Sequence, residues 1–321
     1  MAVDGLATCS VVIPTYNRAE LLRRTLDSLC AQDLPKAAFE VLVVDDGSSD
    51  GTDQLVTRYC DRLDLKYLFQ PDEGWRVAQA RNLGIAAATG EVCVFVDSGV
   101  LLHSGCLRAH LRSHQQADGP VAVCGYVYGF DNNGSDTDPM IEAFDFDNLD
   151  ATIEQLRESG RWPDIREPFY ARHDYDLGRL PAPWVLYWTC NVSAPTDRVR
   201  AVGGFDEQFR SWGGEDIDLG YRLHRDGVRF VLDRAASSIH YPHAKSSVHN
   251  FAQARANYRY LAQKYDTPIT RLAARLGGAV NAYTFNDAIT INGLPDCADY
   301  LREQARTPAA AVSVRGPGRT Q

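Results

Sequence analysis

Apolar runs that predict buried strands alternate with helical patterns through residues 9–96. The strand-like runs cover 9–14, 39–45, 66–69 and 92–96, and segments with apolar residues at helical spacing separate them. Strands joined in this way form right-handed βαβ units, and such units build a mainly parallel sheet. We therefore predict an α/β fold in which helices flank this sheet.

Polar residues stand where three of these strands end. They are Thr15, Asp45, Asp46 and Asp97. Parallel strands end at the same edge of a sheet, and open α/β sheets bind their ligands at that edge. The sequence therefore predicts a ligand site at the carboxyl ends of the strands.

A second motif places an aromatic residue and two glycines directly before paired acids. The order is Trp212, Gly213, Gly214, Glu215 and Asp216, and an apolar helical pattern follows. Such a segment puts two acids at a helix start, beside a flexible loop and a flat indole face. This suits a pocket that deprotonates a hydroxyl. The alternative is a helix start whose acids only favour the helix dipole.

Size, charge and cysteine spacing exclude several classes of protein. The chain has 321 residues, which fits one elaborated α/β domain or two smaller ones, and its formal charge of −9 argues against nonspecific nucleic-acid binding. No apolar run is long enough for a membrane helix, and the N-terminus does not resemble a signal peptide. The eight cysteines form no close pair, so we expect reduced, buried thiols. We predict a cytoplasmic chain, free or at the membrane periphery; its oligomeric state is not predicted.

In order and spacing, the motifs resemble those of family 2 glycosyltransferases. The resemblance rests on residues 14–18, 43–52, 72–84, 90–99 and 212–216, and it covers about 9–245. The 212–216 segment also resembles the galactosyltransferase-type C-terminal region. The resemblance implies a GT-A, Rossmann-like fold with a mainly parallel sheet flanked by helices, an acceptor-side insertion and C-terminal helices.

The resemblance also implies a division of the chain. Residues 1–127 would be the nucleotide-sugar-binding half, and 128–251 the acceptor-binding and catalytic half of the same domain. Residues 128–183 mix loop, aromatic and charged segments, and form either an acceptor wall or lid, or a variable surface excursion. Residues 252–305 would be a helical extension with a break near 292–295, and 306–321 a disordered tail.

The donor implied by the resemblance is a nucleotide-diphospho-sugar, UDP-hexose or UDP-N-acetylhexosamine. Asp45 and Asp46 would accept hydrogen bonds from the base imide or the ribose hydroxyls, because a carboxylate distinguishes bases by their N–H groups. Arg76 and Arg81 suit the diphosphate and the base edge, with surface charge as the alternative. The full donor-binding set is Thr15, Tyr16, Arg18, Asp45, Asp46, Arg76, Arg81, Asp97 and Ser98.

The sequence departs from the family at its metal motif. Asp97-Ser98-Gly99 stands where an Asp-x-Asp motif is usual, so one carboxylate is missing. A divalent ion, Mn²⁺ or Mg²⁺, tolerates this if the diphosphate and another side chain complete its shell. The galactosyltransferase pattern places a histidine downstream, and we expect His240 as the ligand, with His243 second; imidazole favours Mn²⁺. A histidine hydrogen-bonded at a strand end is the alternative.

For the chemistry, the resemblance implies an inverting transfer of a single sugar to an acceptor hydroxyl. Asp216 would be the general base and Glu215 would hold acceptor hydroxyls, while Asp218 remains an alternative base. The acceptor-binding residues would be Trp212, Gly213, Gly214 and Trp188. Trp184, Trp188 and Asn191 either shape this site or pack in the core.

The acceptor class stays open among glycans, lipid-linked intermediates and small natural products. Two other functions also stay open. A non-catalytic sugar-nucleotide or glycan-binding module would explain Gly99, but the Glu215-Asp216 pair argues against it. A nucleotidyltransferase would need a glycine-rich, lysine-bearing phosphate loop near the first strand, which is missing from the sequence.

Overall fold

The computed structural model describes residues 8–130, 136–243, 247–276 and 280–306, with the backbone alone for 247–249 and 251. The strands are β1 (Cys9–Thr15), β2 (Phe39–Asp45), β3 (Leu65–Phe69), β4 (Val92–Val96), β5 (Val100–Leu102), β6 (Val121–Tyr128), β7 (Asn191–Pro195) and β8 (Arg229–His240). The helices are α1 (Ala19–Cys30), α2 (Thr52–Thr57), α3 (Val77–Ala87), α4 (Cys106–Gln116), α5 (Thr137–Ala143), α6 (Leu149–Ser159), α7 (Glu167–Arg172), α8 (Thr196–Ala201), α9 (Glu215–Arg225), α10 (Ser247–Tyr265), α11 (Pro268–Ala273), α12 (Phe285–Ile291) and α13 (Cys297–Arg306). The predicted tail, 306–321, lies outside the described residues except for Arg306.

The described strands form one mixed sheet in the order β3-β2-β1-β4-β7-β6-β8-β5. β1, β2, β3 and β4 pair in parallel, as do β6 and β8. Antiparallel pairing occurs where β7 joins β4 and β6, and where β5 joins β8. The predicted α/β fold with a mainly parallel sheet is confirmed, and its antiparallel pairs all involve strands of the second half or β5.

Helices cover both faces of this sheet, which explains the continuous apolar strands in the sequence. In β1, Val11 and Ile13 pack into the cluster that includes Leu22 and Leu26 of α1. Val12 faces the other side, in the cluster that includes Ala78 of α3. Because every position of β1 is buried, the strand shows no alternation of apolar and polar residues.

A cap-type Asn17 with Glu20 three residues later predicts a helix capped by Asn17, and this prediction was wrong. Asn17 is not the cap; it has a left-handed φ of 48°, and Arg18 precedes the helix. Asp50, from the loop after β2, accepts a hydrogen bond from the backbone N–H of Ala19 at 2.8 Å. The Asn17 side chain in turn accepts one from the N–H of Ser49 at 2.8 Å. The capping acid therefore comes from another segment, and the loops after β1 and β2 form one rim.

The predicted insertion folds over the sheet and is held there by a buried ion pair. Arg166 and Asp164 are each 1% exposed, and their closest charged atoms are 2.7 Å apart. Arg166 also donates to the carbonyl of Leu186 at 2.9 Å, and Asp164 accepts from the N–H of Val127 in β6 at 2.9 Å. The insertion is thus anchored to the central strands; its role as an acceptor wall stays a prediction.

All eight cysteines are free thiols, and six of them are buried. Cys60 is exposed and Cys30 is partly exposed, so the expectation of buried thiols was wrong for these two. Among the described helices, none combines the length and the apolar character that crossing a membrane requires.

Candidate active site

Arg81 of α3 joins distant parts of the chain at the carboxyl end of the sheet. Its guanidinium donates to Glu215 Oε1 and to Asp97 Oδ1, both at 2.9 Å. The residue is 3% exposed, and its guanidinium lies 5.2 Å from the centre of the Phe205 ring. A buried cation needs such partners, because an unpaired charge in the interior is costly. The structure therefore brings Asp97 and Glu215 to one place.

Of the three acids in the first turn of α9, Asp218 is the one whose carboxylate is fully occupied by hydrogen bonds and ion pairs within the fold. It is 0% exposed and accepts hydrogen bonds from the guanidinium of Arg222 at 2.6 and 2.8 Å. Its other oxygen accepts from Lys264 Nζ at 2.8 Å and from the Tyr265 hydroxyl at 2.7 Å. A carboxylate with this many donors has no room for a substrate hydroxyl.

Asp216 differs from both neighbouring acids, because no described residue forms a salt bridge with it. It is half-buried, and its carboxylate accepts from the N–H of Ile217 at 2.7 Å. Burial and the nearby carboxylate of Glu215 raise the pKa of Asp216 to about 7, although Arg81 acts in the opposite direction. A carboxylate with a pKa near neutrality is suited to take a proton from a hydroxyl.

The first acid of the loop after β2 holds that loop in shape. Asp45 is 1% exposed; it accepts from the backbone N–H of Ser48 and from the Tyr67 hydroxyl, both at 2.7 Å. Thr15 ends the neighbouring strand, and its buried hydroxyl has no hydrogen-bond partner among the described residues. Its carbonyl accepts from the N–H of Asp46 at 2.9 Å. Contact of Asp45 with a nucleotide stays a prediction.

The second acid of this loop, Asp46, lies beside Arg76. It accepts from the Gln70 amide at 2.5 Å and from the Arg76 N–H at 3.0 Å. Burial nevertheless raises the pKa of the Asp46 carboxyl. The Arg76 guanidinium donates to Glu73 at 2.9 Å and to the Pro71 carbonyl. Arg76 thus binds its own loop here, and its contact with a diphosphate stays a prediction.

The remaining donor-site candidates differ in how open they are. Tyr16 is 44% exposed, and its hydroxyl donates to Asp72 at 2.8 Å, so its ring is available on the rim. Arg18 is exposed next to it. Ser98 is buried, and its hydroxyl donates to the Pro14 carbonyl at 2.9 Å. Ser98 therefore ties the end of β4 to β1.

The structure gives a physical reason for the missing metal-motif carboxylate. Gly99 has a left-handed φ of 97°, which disfavours any residue with a side chain. A Cβ built there would lie 3.5 Å from Leu21, so a side chain would start against an apolar neighbour. The Gly99 carbonyl accepts from the N–H of Tyr241 at 2.7 Å. Glycine at this position therefore belongs to the turn between β4 and β5.

The predicted metal ligands lie at adjacent ends of β4, β5 and β8. Val100 pairs with His240, and the turn from Asp97 precedes Val100. The rings of His240 and His243 stack with centroids 5.1 Å apart, and the Nδ1 atom of each lies 3.0–3.1 Å from the Tyr241 carbonyl.

Within the described ranges, no three His, Cys, Asp or Glu side chains are grouped to hold a metal ion. One carboxylate and one or two imidazoles suit a divalent ion whose remaining ligands are diphosphate oxygens and water. In chemical type, the predicted donor set fits a cation that arrives with the nucleotide.

The predicted acceptor residues occupy two places. Trp212 is half-buried and precedes Gly213 and Gly214, whose φ values of 85° and 101° are left-handed. Trp188 donates its indole N–H to the Val185 carbonyl at 3.0 Å, and its ring lies 4.9 Å from the Arg166 guanidinium. Trp188 thus contacts the insertion. Two further candidates, Trp184 and Asn191, are 0% exposed and pack in the core.

Reasoning from the sequence missed one residue near the acids. Tyr258 of α10 is half-buried; burial, followed by the charges of Asp216 and Glu215, raises the pKa of its phenol. The helical pattern of 252–305 shows which face is buried, but it does not show what that face covers. No motif in the sequence marks this residue.

Two family models match the chain in sequence. Residues 10–170 match the model described as glycosyl transferase family 2, and residues 174–247 match the one described as the N-terminal domain of galactosyltransferase. Together they span the sheet, Arg81 and the acids of α9.

Curated relatives and solved structures agree with these matches. The chain is 39% identical over 273 residues to validoxylamine A glucosyltransferase of Streptomyces hygroscopicus subsp. jinggangensis, covering 84% of this chain and 64% of that protein. It therefore spans less than two thirds of that relative. It is 30% identical to the chondroitin synthase of Escherichia coli, covering 75% of this chain and 35% of the synthase. In structure it is similar to a mannosyltransferase of Pyrobaculum calidifontis, with a TM-score of 0.54 at 20% identity, covering 94% and 80% of the two chains.

Proposed function

Because the chain belongs to glycosyl transferase family 2, we propose that it transfers a single sugar from a nucleotide-diphospho-sugar to an acceptor hydroxyl, with inversion. The observation that carries the proposal is which partners the three acids in the first turn of α9 have. Glu215 is bound to Arg81, Asp218 is enclosed by Arg222, Lys264 and Tyr265, and Asp216 forms no salt bridge with a described residue. Asp216 is therefore the proposed general base.

In the proposed reaction, the acceptor oxygen attacks the anomeric carbon while the bond from that carbon to the diphosphate oxygen breaks. The hydroxyl proton passes to the carboxylate of Asp216, and the diphosphate leaves with its electron pair. Glu215, fixed by Arg81, binds other acceptor hydroxyls. Arg81 itself is a positioning residue, since its N–H groups bind Glu215 and Asp97. The half-buried Trp212 offers an apolar face to a sugar ring.

A divalent cation, Mn²⁺ or Mg²⁺, would be held by Asp97 and His240, with His243 as the second choice. When bound, it would supply positive charge that stabilises the leaving diphosphate.

For the donor, we propose a uridine nucleotide, because the buried acids after β2 suit a base that presents an N–H group. The name of the 39% identical glucosyltransferase supports a hexosyl donor, and it makes UDP-glucose and validoxylamine A the first pair to test. Glycan, lipid-linked and other small natural-product acceptors form the rest of the panel.

The test measures release of the nucleoside diphosphate with and without acceptor, across a panel of UDP-sugars with Mn²⁺. We expect Asp216→Asn to lower turnover by about 10²–10⁴-fold, because it removes the proton acceptor. The dissociation constant for UDP should change little. Asp197→Asn is the matched control, since Asp197 also lies in the first turn of a helix but its side chain is 79% exposed.

Normal turnover by Asp216→Asn would remove Asp216 as the base. If the unchanged protein binds UDP-sugars but releases no diphosphate with any acceptor, the alternative of a non-catalytic binding module replaces the transferase.

A further inference from the structure

α10 packs against the loop that precedes the acids of α9. It runs over Ser247–Tyr265, so the matched family segments, 10–170 and 174–247, reach only its first residue. The face of α10 that lies against this loop carries Gln253, Ala254, Asn257 and Lys264, which recur at helical spacing. This face contacts Asp206 and the segment from Ser211 to Asp218.

Asn257 makes the central contact. Its side-chain amide donates to the carbonyls of Ser211, Trp212 and Gly213, at 3.1, 3.3 and 2.7 Å. Its side-chain oxygen accepts from the Ser211 hydroxyl at 3.2 Å. The residue is 8% exposed. The two N–H groups of this buried amide are therefore shared among three successive carbonyls of a segment that has no regular secondary structure.

A second residue of α10, Gln253, lies one helical turn before Asn257 and binds the backbone N–H of Trp212. Gln253 Oε1 accepts from the N–H of Trp212 at 3.0 Å. Both polar groups of the Trp212 backbone are therefore bound by α10, and the position of Trp212 depends on this helix.

The two glycines allow this close approach. A Cβ on Gly213 would lie 3.3 Å from the Cβ of Ala254, and one on Gly214 would lie 3.3 Å from the Cβ of Asn257. These separations are tighter than ordinary packing. Since both glycines also have left-handed φ values, the sequence Trp-Gly-Gly fits a turn pressed against a helix.

α10 also binds the other side of Asp216. Lys264 donates to Asp218 at 2.8 Å and to Asp206 at 2.7 Å. The Tyr265 hydroxyl donates to Asp218 at 2.7 Å. The helix therefore contacts the chain before and after Asp216, and it leaves that carboxylate without a salt bridge.

We propose that Asn257 is a positioning residue that fixes the 211–214 turn, and through it Trp212 and Asp216, for the acceptor. The inference rests on the proposed transferase function. It predicts a defect in acceptor use and in the rigidity of the turn, with nucleotide binding preserved. The hydrogen bonds and ion pairs of Asp45 and Asp46 with described residues include none to α10.

The experiment compares Asn257→Ala and Asn257→Asp with the unchanged chain. The aspartate keeps the size but replaces the N–H donors with a charged acceptor that repels the three carbonyls, while the alanine removes the amide without adding charge. Gln263→Ala is the control, because Gln263 is an exposed amide on the same helix. Three quantities are measured: hydrogen exchange of the amides in 212–218, the dissociation constant for UDP, and kcat/KM for the acceptor.

For both Asn257 variants we expect amide exchange in 212–218 to rise by about 10-fold or more, since local opening becomes easier. We expect kcat/KM for the acceptor to fall by about 10- to 100-fold, with UDP affinity within about 2-fold of the unchanged chain. Gln253→Ala, which removes the acceptor of the Trp212 N–H, should give a smaller rise in exchange while keeping the fold. This milder variant covers the case in which an Asn257 variant does not fold.

The proposal is overturned if exchange in 212–218 is unchanged in Asn257→Asp and Gln253→Ala, or if exchange rises while acceptor kinetics stay normal. A failure of the transferase function itself would appear separately, as absence of turnover in the unchanged chain. In that case the exchange data would still decide whether Asn257 fixes the turn.

Discussion

Replacing Asp216 by asparagine should inactivate the protein and at the same time stabilise its fold at alkaline pH. In the folded chain, burial and Glu215 raise the pKa of Asp216 from 3.8 to about 7. Below pH 3.8 the carboxyl is protonated in both the folded and the unfolded chain, so it does not lower the free energy of unfolding. As the pH rises toward 7, the unfolded chain ionises first and the free energy of unfolding falls. Above pH 7 the cost is constant.

The size of the effect follows from the shift. With Asp216 ionised, the rise in its pKa from 3.8 to about 7 lowers the free energy of unfolding by about 4 kcal/mol, at 1.36 kcal/mol per pKa unit. Because Asp216 is half-buried, water screens part of this, and we expect Asp216→Asn to raise the free energy of unfolding by about 1–3 kcal/mol at pH 8.5. The gain should be smaller at pH 5. In melting temperature it corresponds to about 2 °C or less per kcal/mol for a chain of this size.

The assay is urea unfolding followed by tryptophan fluorescence at pH 5 and pH 8.5. Asp218→Asn is the paired variant, in the same helical turn. It should lose about 3–5 kcal/mol at both pH values, because it removes the acceptor of Arg222 and Lys264 and leaves these cations unpaired. The reasoning would be refuted if Asp216→Asn did not raise the free energy of unfolding at pH 8.5, or raised it more at pH 5 than at pH 8.5.

Two further predictions concern the metal and the missed tyrosine. His240→Ala should weaken Mn²⁺ binding in the presence of UDP by about 10-fold or more, measured by titration calorimetry, and His243→Ala should do so less. If neither change nor a chelator alters the rate, the reaction needs no metal. Tyr258→Phe should lower kcat/KM for the acceptor by about 3- to 10-fold without lowering stability, since its hydroxyl has no hydrogen-bond partner among the described residues. Unchanged acceptor kinetics would show that this hydroxyl does not contact the acceptor.

The fold could be predicted from the sequence because strand and helix patterns are local. Apolar runs and turn residues located β1, β2, β3 and β4 to within about one residue. The prediction that Asp216 rather than Asp218 is the base came from the resemblance alone. The physical reason is tertiary: Lys264 lies far along the chain, and no pattern around residue 216 shows that it reaches Asp218.

The same limit applies near the nucleotide loops, where the predicted helix cap was wrong and the role of Arg76 stays a prediction. Asn17 has the chemistry of a cap, but the acid that caps α1 is Asp50, 31 residues from its partner Ala19. Arg76 has the chemistry of a phosphate ligand, but in the structure its guanidinium binds its own loop. Residue type predicted what these side chains can bind, while packing decided which partner each one has.

The backbone of Gly99 limits how this site can change by mutation. Substituting Gly99 by aspartate would give the sequence of a two-carboxylate motif. The new residue would have to adopt a left-handed φ that residues with a side chain avoid, and its Cβ would contact Leu21. An engineer who wants tighter cation binding would first have to redesign the turn between β4 and β5. The strand pairing that ends at Tyr241 would have to move with it, so the histidines and the turn can change only as a unit.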